Sequence, residues 1–555
     1  MTKNTTTSSE APERRLPLKK RTRLKTIGAA VIVLALAAAG CTTASSTEEV
    51  SASGSGVVAA AETVAASDPA TAASSTSVEP SNTVAAALED NQEPHSTADE
   101  LTYDDADVVT IALDGTAATS TDDGVTIDGS MVTITTAGVY ALSGALDDGE
   151  VIVDAADSDD VTLLLNGVDI VNSDGPAISA LSADEVTVIL GDGTTNSLTD
   201  GAADATAGTE TDAPNAALAS SADLTIAGTG TLLVTGKTND GISSKDGLVI
   251  EGGTITVDAV DDGIRGKDYV IINGGDIEIV AVGDGIKADN AENVDRGYVL
   301  IIDGTVDVTS GDDGIQAATD ALITGGTITV DAGSDASSED SGRAIQGDVM
   351  VVVSGGVITA DAGDDALHSN SAVTIDGGDL TLASGDDGIH GDFAVTINGG
   401  SVVITESFEG IESEVITINA GFIDVTATDD GLNVADGTAA ETNTLSVGPG
   451  RGGGGEVAGE YYIYINGGTT VITIGSSSAA DGDGIDSNGS VVMTGGVVVI
   501  NGPTDTRNSA LDYNGTFEVS GGLIIGTNIN GMNSEGVGAG STQASMYLTS
   551  ASVLD

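Results

Sequence analysis

From residue 237 onward the chain repeats one short pattern of apolar and polar positions. Glycine pairs, or their equivalents, end at 253, 275, 304, 326, 356, 378, 400, 421, 468, 496 and 522, and four of these spacings are 22 residues and one is 21. Each unit reads Gly-Gly-x-Ile-x-Val, then an Asp-Asp-Gly-Ile turn, then a second short alternating strand. Period-two alternation gives each strand one inward face, and in one unit that face is Ile255, Val257, Ile264, Val270 and Ile272. A unit this short has no core of its own and must stack on its neighbours. The apolar spacing of helical repeats is absent, and the nonapeptide calcium roll does not fit this period. The predicted fold is all-β: a right-handed parallel β-helix, a solenoid of rungs about 22 residues long, over 237–555.

Residues 101–236 alternate strands with turn signals, as in 124–129, 132–135 and 161–165, the last before Asn166-Gly167. They are read as an N-terminal β part of the same solenoid. Residues 42–100 are rich in Ala, Ser, Thr and Glu without sustained periodicity, so they are expected to form a flexible, disordered linker reaching roughly 45 Å. Before it, Arg14, Arg15, Lys19, Lys20, Arg21, Arg23 and Lys25 precede an apolar run over 28–40 that ends at Cys41, the chain's single cysteine. That run is well short of the roughly 20 residues a membrane-spanning helix needs. Residues 1–41 therefore read as a lipoprotein-type export signal, with Ala38 where a lipobox usually has Leu. The expectation is lipidation at Cys41 and display on the cell surface, with the membrane touched only through that lipid.

Charge sharpens the picture. Eight of the 17 basic residues lie in the first 25 positions, leaving nine against 84 acids after residue 25, a net of −75. Such a body cannot neutralise phosphates, so nucleic acid is excluded as a partner and cations are expected. With no Trp and 2% aromatic residues, the chain lacks the usual flat platform for stacking sugars.

Stacking the rungs turns one position into an acidic column: Asp240, Asp262, Asp284, Asp313, Asp365, Asp387, Glu409, Asp430 and Asp483, each at the Asp-Gly-Ile turn. A second acid or amide follows at Asp268, Asp289, Asp320, Asp348, Asn370, Asp392, Glu414, Asp436 and Asn488. Equivalent positions one rung apart lie ~4.8 Å from each other. At that spacing two carboxylates repel by roughly 3.5 kcal/mol at an effective dielectric near 20. Calcium, which takes six to eight oxygens in adaptable geometry, is the ion expected to relieve this. The plainer reading of any single acid is that Asp caps its own turn.

Three residues beyond the turn acid runs a third column: Ser243, Arg265, Lys287, Gln316, Gln346, His368, His390, Glu412, Asn433, Asp486 and Asp512. Arg265, Lys267 and Lys287 belong to a basic cluster with Lys237, Lys245 and Arg296, placed to hold an anionic sugar or, more simply, to compensate nearby aspartates. His368, His390 and Glu412 occupy consecutive rungs and are read as an exposed polar ladder rather than a transition-metal site. The stretch Asp481-Gly-Asp-Gly-Ile-Asp486 is not a helix–loop–helix calcium loop, because Val492 stands where the closing Glu belongs.

From Gly138-Val-Tyr-Ala-Leu-Ser-Gly144 and Leu165-Asn-Gly-Val-Asp-Ile170, through Asp284-Gly-Ile-Lys-Ala-Asp289 and Glu409-Gly-Ile-Glu-Ser-Glu414, to Gly482-Asp-Gly-Ile-Asp-Ser-Asn-Gly489 and Asn508-Ser-Ala-Leu-Asp-Tyr513, the chain resembles one family. That family is the calcium-binding, pectate-lyase-like β-helix family of bacterial carbohydrate-binding proteins. The resemblance implies several bound calcium ions, with Asp284, Asp387, Glu409, Glu412, Asp430, Asp483 and Asp486 as candidate ligands, and affinity for cellulosic or pectic polysaccharide. With Asp262, Asp289, Asp313, Asp392 and Glu414 from the columns, these form the candidate metal set. Arg343 departs from the pattern where an acid is expected, and the family domain is expected to run on past Asp555. The reading that follows is a calcium-dependent carbohydrate-binding surface lipoprotein without a catalytic residue. The alternatives are a calcium-dependent lyase of polyuronates, with Lys287 or Arg265 as general base, and a structural surface adhesin.

Overall fold

The computed structural model describes residues 83–95, 101, 103, 105–201, 215–333, 342–435, 459–475, 482–503, 508–527 and 535–546. The export signal, Cys41, most of the expected linker and Asp436 lie outside them. Two compact units are distinguished, Met1–Thr76 and Ser77–Asp555, and all described residues belong to the second.

The second unit is an all-β parallel solenoid. One rung shows its construction: Ile264–Gly266, Tyr269–Ile272 and Asp276–Ala281 are successive short strands. Each pairs in parallel with its counterpart one rung earlier and one rung later, as in Ile242↔Ile264↔Ile286, Val270↔Val299 and Ile277↔Val306. The first strands of the rungs build a sixteen-stranded sheet of their own. The inward set expected from alternation (Ile255, Val257, Ile264, Val270 and Ile272) is fully buried. Each is one link in an aliphatic column that runs the length of the core.

Two kinds of glycine set the rung length. The second glycine of each Gly-Gly pair sits at a corner with positive φ, +108° at Gly275, where its missing Cβ clears the Gly253 carbonyl below. The glycine of the Asp-Gly turn is needed for space instead. A Cβ on Gly263 would run into the side chain of Ile279 and lie 2.6 Å from the Gly285 carbonyl.

One part of the expected linker takes a defined structure. Val84–Asp90 is a helix, capped by Thr83 Oγ1, which accepts from the Ala86 N–H at 3.2 Å. Its Val84 and Ala87 pack on the outer face of the solenoid against Val249, Tyr269, Ile271, Tyr298, Leu300, Leu322 and Val352. The residues after it continue the contact. Asn91 Nδ2 donates to Asp320 at 2.9 Å, Gln92 N to the Asp295 carbonyl at 2.7 Å, and Tyr298 Oη to the Gln92 carbonyl at 2.8 Å. His95 ends the clip, its ring nitrogens 2.7 Å from Tyr269 Oη and 2.9 Å from Thr225 Oγ1. A seven-residue helix is too short to be stable alone, so docking supplies what intrinsic propensity cannot. The flexible-linker expectation is therefore corrected for 83–95.

Candidate cation-binding columns

The turn acids stack as expected, and they do so through a specific device. The backbone N–H of Asp284 donates to Asp262 Oδ1 at 3.0 Å, Asp313 to Asp284 at 2.9 Å, Arg343 to Asp313 at 2.8 Å, Asp387 to Asp365 at 2.9 Å and Asp483 to Asp430 at 2.6 Å. Each carboxylate thus spends one oxygen on the next rung's backbone, a structural role that needs no ion. The turn-capping reading is corrected for these acids: that oxygen caps the turn of the next rung, not its own. The second oxygen faces sideways, toward the column three residues on.

That third column is in register throughout: Ser243↔Arg265↔Lys287↔Gln316↔Gln346↔His368↔His390↔Glu412↔Asn433↔Asp486↔Asp512. The second column is corrected. Carried on from Ala288↔Ala317 and Gly391↔Ser413, the register aligns Lys267, Asp289, Asp348, Asn370, Asp392, Glu414 and Asn488. Asp268 falls one step later, where its carboxylate accepts from Asn290 at 2.5 Å. Asp320 falls two steps later, in line with Tyr269 and Tyr298 and beside Asn91. The register holds this column five residues after the turn position, whereas Asp268 stands six and Asp320 seven residues after their turn acids.

Each third-column side chain therefore lies between two polar columns. In the first rungs it is a base. Arg265 reaches Asp289 at 2.5 Å and Asp240 at 3.6 Å, and Lys287 reaches Asp284 at 2.5 Å and Asp262 at 3.4 Å. Burial works against the charge on Lys287, but Asp284 and Asp262 outweigh it and raise its pKa. Arg265 is held charged in the same way by Asp289 and Asp240. Asp313 meets Gln316 at 3.2 Å instead. Asp262, Asp284 and Asp289 thus have cations supplied by the chain itself, and charge compensation is the role the geometry gives Arg265 and Lys287. Lys267 is exposed.

In the middle rungs the column carries histidine. His368 Nδ1 lies 2.7 Å from Asp365 and His390 Nδ1 2.7 Å from Asp387, with the rings stacked at 5.0 Å. His368 is 7% exposed, Glu412 4% exposed and His390 half-buried, so the ladder is not the exposed one expected. Arg343 turns its guanidinium on Asp364 at 3.2 Å, which accounts for the departure from an acid at that rung.

In the last rungs the column is acidic or neutral. Asp430, Asp483 and Asp486 bring carboxylate oxygens within 4.8 Å of one another. Burial, then Asp486, Glu409 and Asp429, push the Asp430 carboxyl well above its ordinary pKa, and burial with Asp512 raises Asp486 to about 6. Asn433 stands between Glu412 and Asp486 in the column and is 6% exposed. Its Nδ2 donates to Glu409 at 2.8 Å, while its Oδ1 is buried with no hydrogen-bond partner. No Lys or Arg lies among the described residues of 409–513. Three clustered acids, with an orphaned amide oxygen on the neighbouring column position, offer oxygen donors of the kind calcium prefers. Sequence reading placed Asn433 in the column but not among the ligands; its position between two acids was the available signal. Asp392 and Glu414 flank the middle and last rungs, each half-buried.

The carbohydrate-binding domain-containing protein family model matches residues 128–388, which include the basic rungs and stop short of Glu409. A carbohydrate-binding domain-containing protein of Acetivibrio thermocellus is 46% identical over 195 residues, 35% of this chain and 68% of that protein. A solved structure titled as the polysaccharide lyase-like protein from C. thermocellum, a gadolinium derivative, aligns at 29% identity over 55% of this chain and 96% of its own, with a TM-score of 0.36. The extent and identity of the Acetivibrio match establish that the chain belongs to the carbohydrate-binding domain-containing protein family.

Proposed function

We propose that this protein is a calcium-dependent binder of plant-type polysaccharide, cellulosic or pectic, displayed on the cell surface by a lipid on Cys41. Family membership supports the carbohydrate partner. The observation that carries calcium is the group Asp430, Asp483 and half-buried Asp486, with the orphaned Asn433 Oδ1 next to Asp486 in the column and no basic side chain among the described residues of 409–513. A divalent ion there would balance like charges that burial forces together. Calcium also answers how so acidic a body meets a polyuronate, since the ion can bridge two sets of carboxylates. The lyase alternative draws no support from Lys287 and Arg265, because carboxylates hold both protonated and a general base must be free to accept a proton.

Pull-down on insoluble cellulose and on calcium-free polygalacturonate gels, with added calcium and then with chelator, tests the proposal. Retention in calcium and release by chelator is the expected result. Retention indifferent to chelator removes calcium from the account, and no retention on either matrix removes the plant-type class.

A further inference from the structure

The histidine rungs hold a site of a different chemical kind from the all-oxygen group. His390 Nδ1 faces two carboxylate oxygens, Asp387 Oδ2 at 2.7 Å and Glu412 Oε2 at 3.3 Å. The same ring's Nε2 points at Asp392 Oδ1, 3.4 Å away. A nitrogen carries at most one proton, so Nδ1 cannot hydrogen-bond well to both carboxylates. A metal ion can meet all three atoms together, and one ligand atom from each of Asp387, His390 and Glu412 already lies within 4.8 Å of the others. Asp392 is placed to hold the proton on Nε2, so a metal that displaces the Nδ1 proton, which Asp387 and Glu412 otherwise keep, finds the lone pair aimed at it, the usual carboxylate–histidine–metal relay.

We propose that Asp387, His390 and Glu412 form a binding site for a zinc-class divalent transition ion, positioned by Asp392 and independent of the calcium group on the later rungs. A neutral imidazole with two carboxylates cancels the charge of a divalent ion. One nitrogen and two oxygens suit zinc or cobalt, whereas calcium takes oxygen and avoids imidazole. The rung before it is a built-in control. His368 Nδ1 meets one carboxylate, Asp365, and its Nε2 meets an amide, Asn370 Oδ1 at 3.1 Å, so it lacks the second acid. Three protein ligands leave a coordination position open to water or a ligand oxygen.

The test is cobalt(II) titration of chelator-stripped full-length protein, followed by visible absorption. Expected is a strong band of four- or five-coordinate cobalt that saturates at one equivalent, is erased by zinc and is unmoved by calcium. His390→Gln and Glu412→Gln should each weaken cobalt binding at least ten-fold, and Asp392→Asn roughly ten-fold, because it orients the imidazole without touching the ion. His368→Gln and Asp483→Asn should leave it within two-fold, and Asp483→Asn separates this site from the calcium reading. Circular dichroism checks folding, and Glu412→Gln is decisive if His390→Gln does not fold. Only the faint band of octahedral cobalt, or full binding retained by folded His390→Gln or Glu412→Gln, overturns the proposal.

Discussion

In the rungs around Lys287 the position three residues beyond the turn acid carries a base; around Asp486 the same position carries another acid. Backbone register, turn glycine and buried aspartate are shared, down to the N–H of one rung donating to the carboxylate of the last. The N-terminal rungs place a guanidinium or ammonium between the two polar columns, while the C-terminal rungs bring three carboxylates together there. The lesson is that the third column is filled by the chain's own cations at one end and carries acids at the other, where we propose that an ion from solution takes the place of those cations. It also separates ancestry from chemistry, since the family match covers 128–388 and the all-oxygen group lies beyond it.

The sharpest way to break this comparison is to empty a filled seat. Lys287→Gln leaves Asp262 and Asp284 buried without their ammonium, and breaking such a pair should cost about 3–5 kcal/mol in chelator. If the seats are equivalent, calcium should recover part of that loss, because a neutral amide at position 287, between two aspartates, would reproduce the arrangement of Asn433. Thermal melts of the variant, with calcium and with chelator, read both effects. A loss that calcium does not touch would show that the two ends only look alike.

Stripping calcium from the unaltered chain should act on the other end. An ion at one hundred times its dissociation constant stabilises the native state by about 2.7 kcal/mol. Chelation should therefore lower Tm by several degrees. Hydrogen exchange should place the new opening in 409–513 and leave 264–317 protected. Asp483→Asn should abolish the difference between the two buffers. Uniform loosening along the solenoid would contradict the division.

Much of this was legible from residues alone, and the failures have physical causes. Ile255 to Ile272 could be assigned inward because Gly-Gly corners reset the count in every rung. The Asp-Gly-Ile column was legible for the same reason. Asp268 and Asp320 misalign because they stand six and seven residues after their turn acids, while the backbone register keeps the column at five. His368 and His390 were read as exposed because alternation says which face a side chain takes, not how deeply flanking columns bury it. The docked helix left a signal that went unused. Tyr269–Ile272 and Met350–Val353 are apolar at every position, as strands covered on both faces are, whereas Ala394–Ile397 alternates toward a Thr.

pH offers a finer probe of the buried acids at both ends. The pKa of Asp486 is raised by burial and Asp512 to about 6, and Asp430 is raised too. An acid raised in the folded state contributes stability that is fully present below its unfolded pKa of about 4. That contribution is lost as pH climbs through the folded value. In chelator, acidifying from pH 7 to 5 should therefore raise Tm, with protection gained in 409–513 and also around Asp240 and Asp284, whose carboxyls burial raises to about 7. With calcium present the trend should flatten or reverse, because protons then compete with the ion.

The smallest expected effect concerns a second way in which the N-terminal rungs are self-sufficient: they carry a peptide cover as well as their own cations. His95 closes that cover between strands, its Nδ1 3.2 Å from Asp223 and 2.7 Å from Tyr269 Oη, its Nε2 2.9 Å from Thr225 Oγ1 and 3.7 Å from Glu185. His95→Ala removes these side-chain contacts but keeps Val84 and Ala87 on their apolar patch, so the loss should be about 1–2 kcal/mol. The effect should be local. Hydrogen exchange should rise in 247–301, under the clip, with no change in the calcium response of the last rungs. If the calcium response shifted as well, the two ends would be coupled through the core, and the division between internally and externally compensated rungs would have to be redrawn as a single cooperative column.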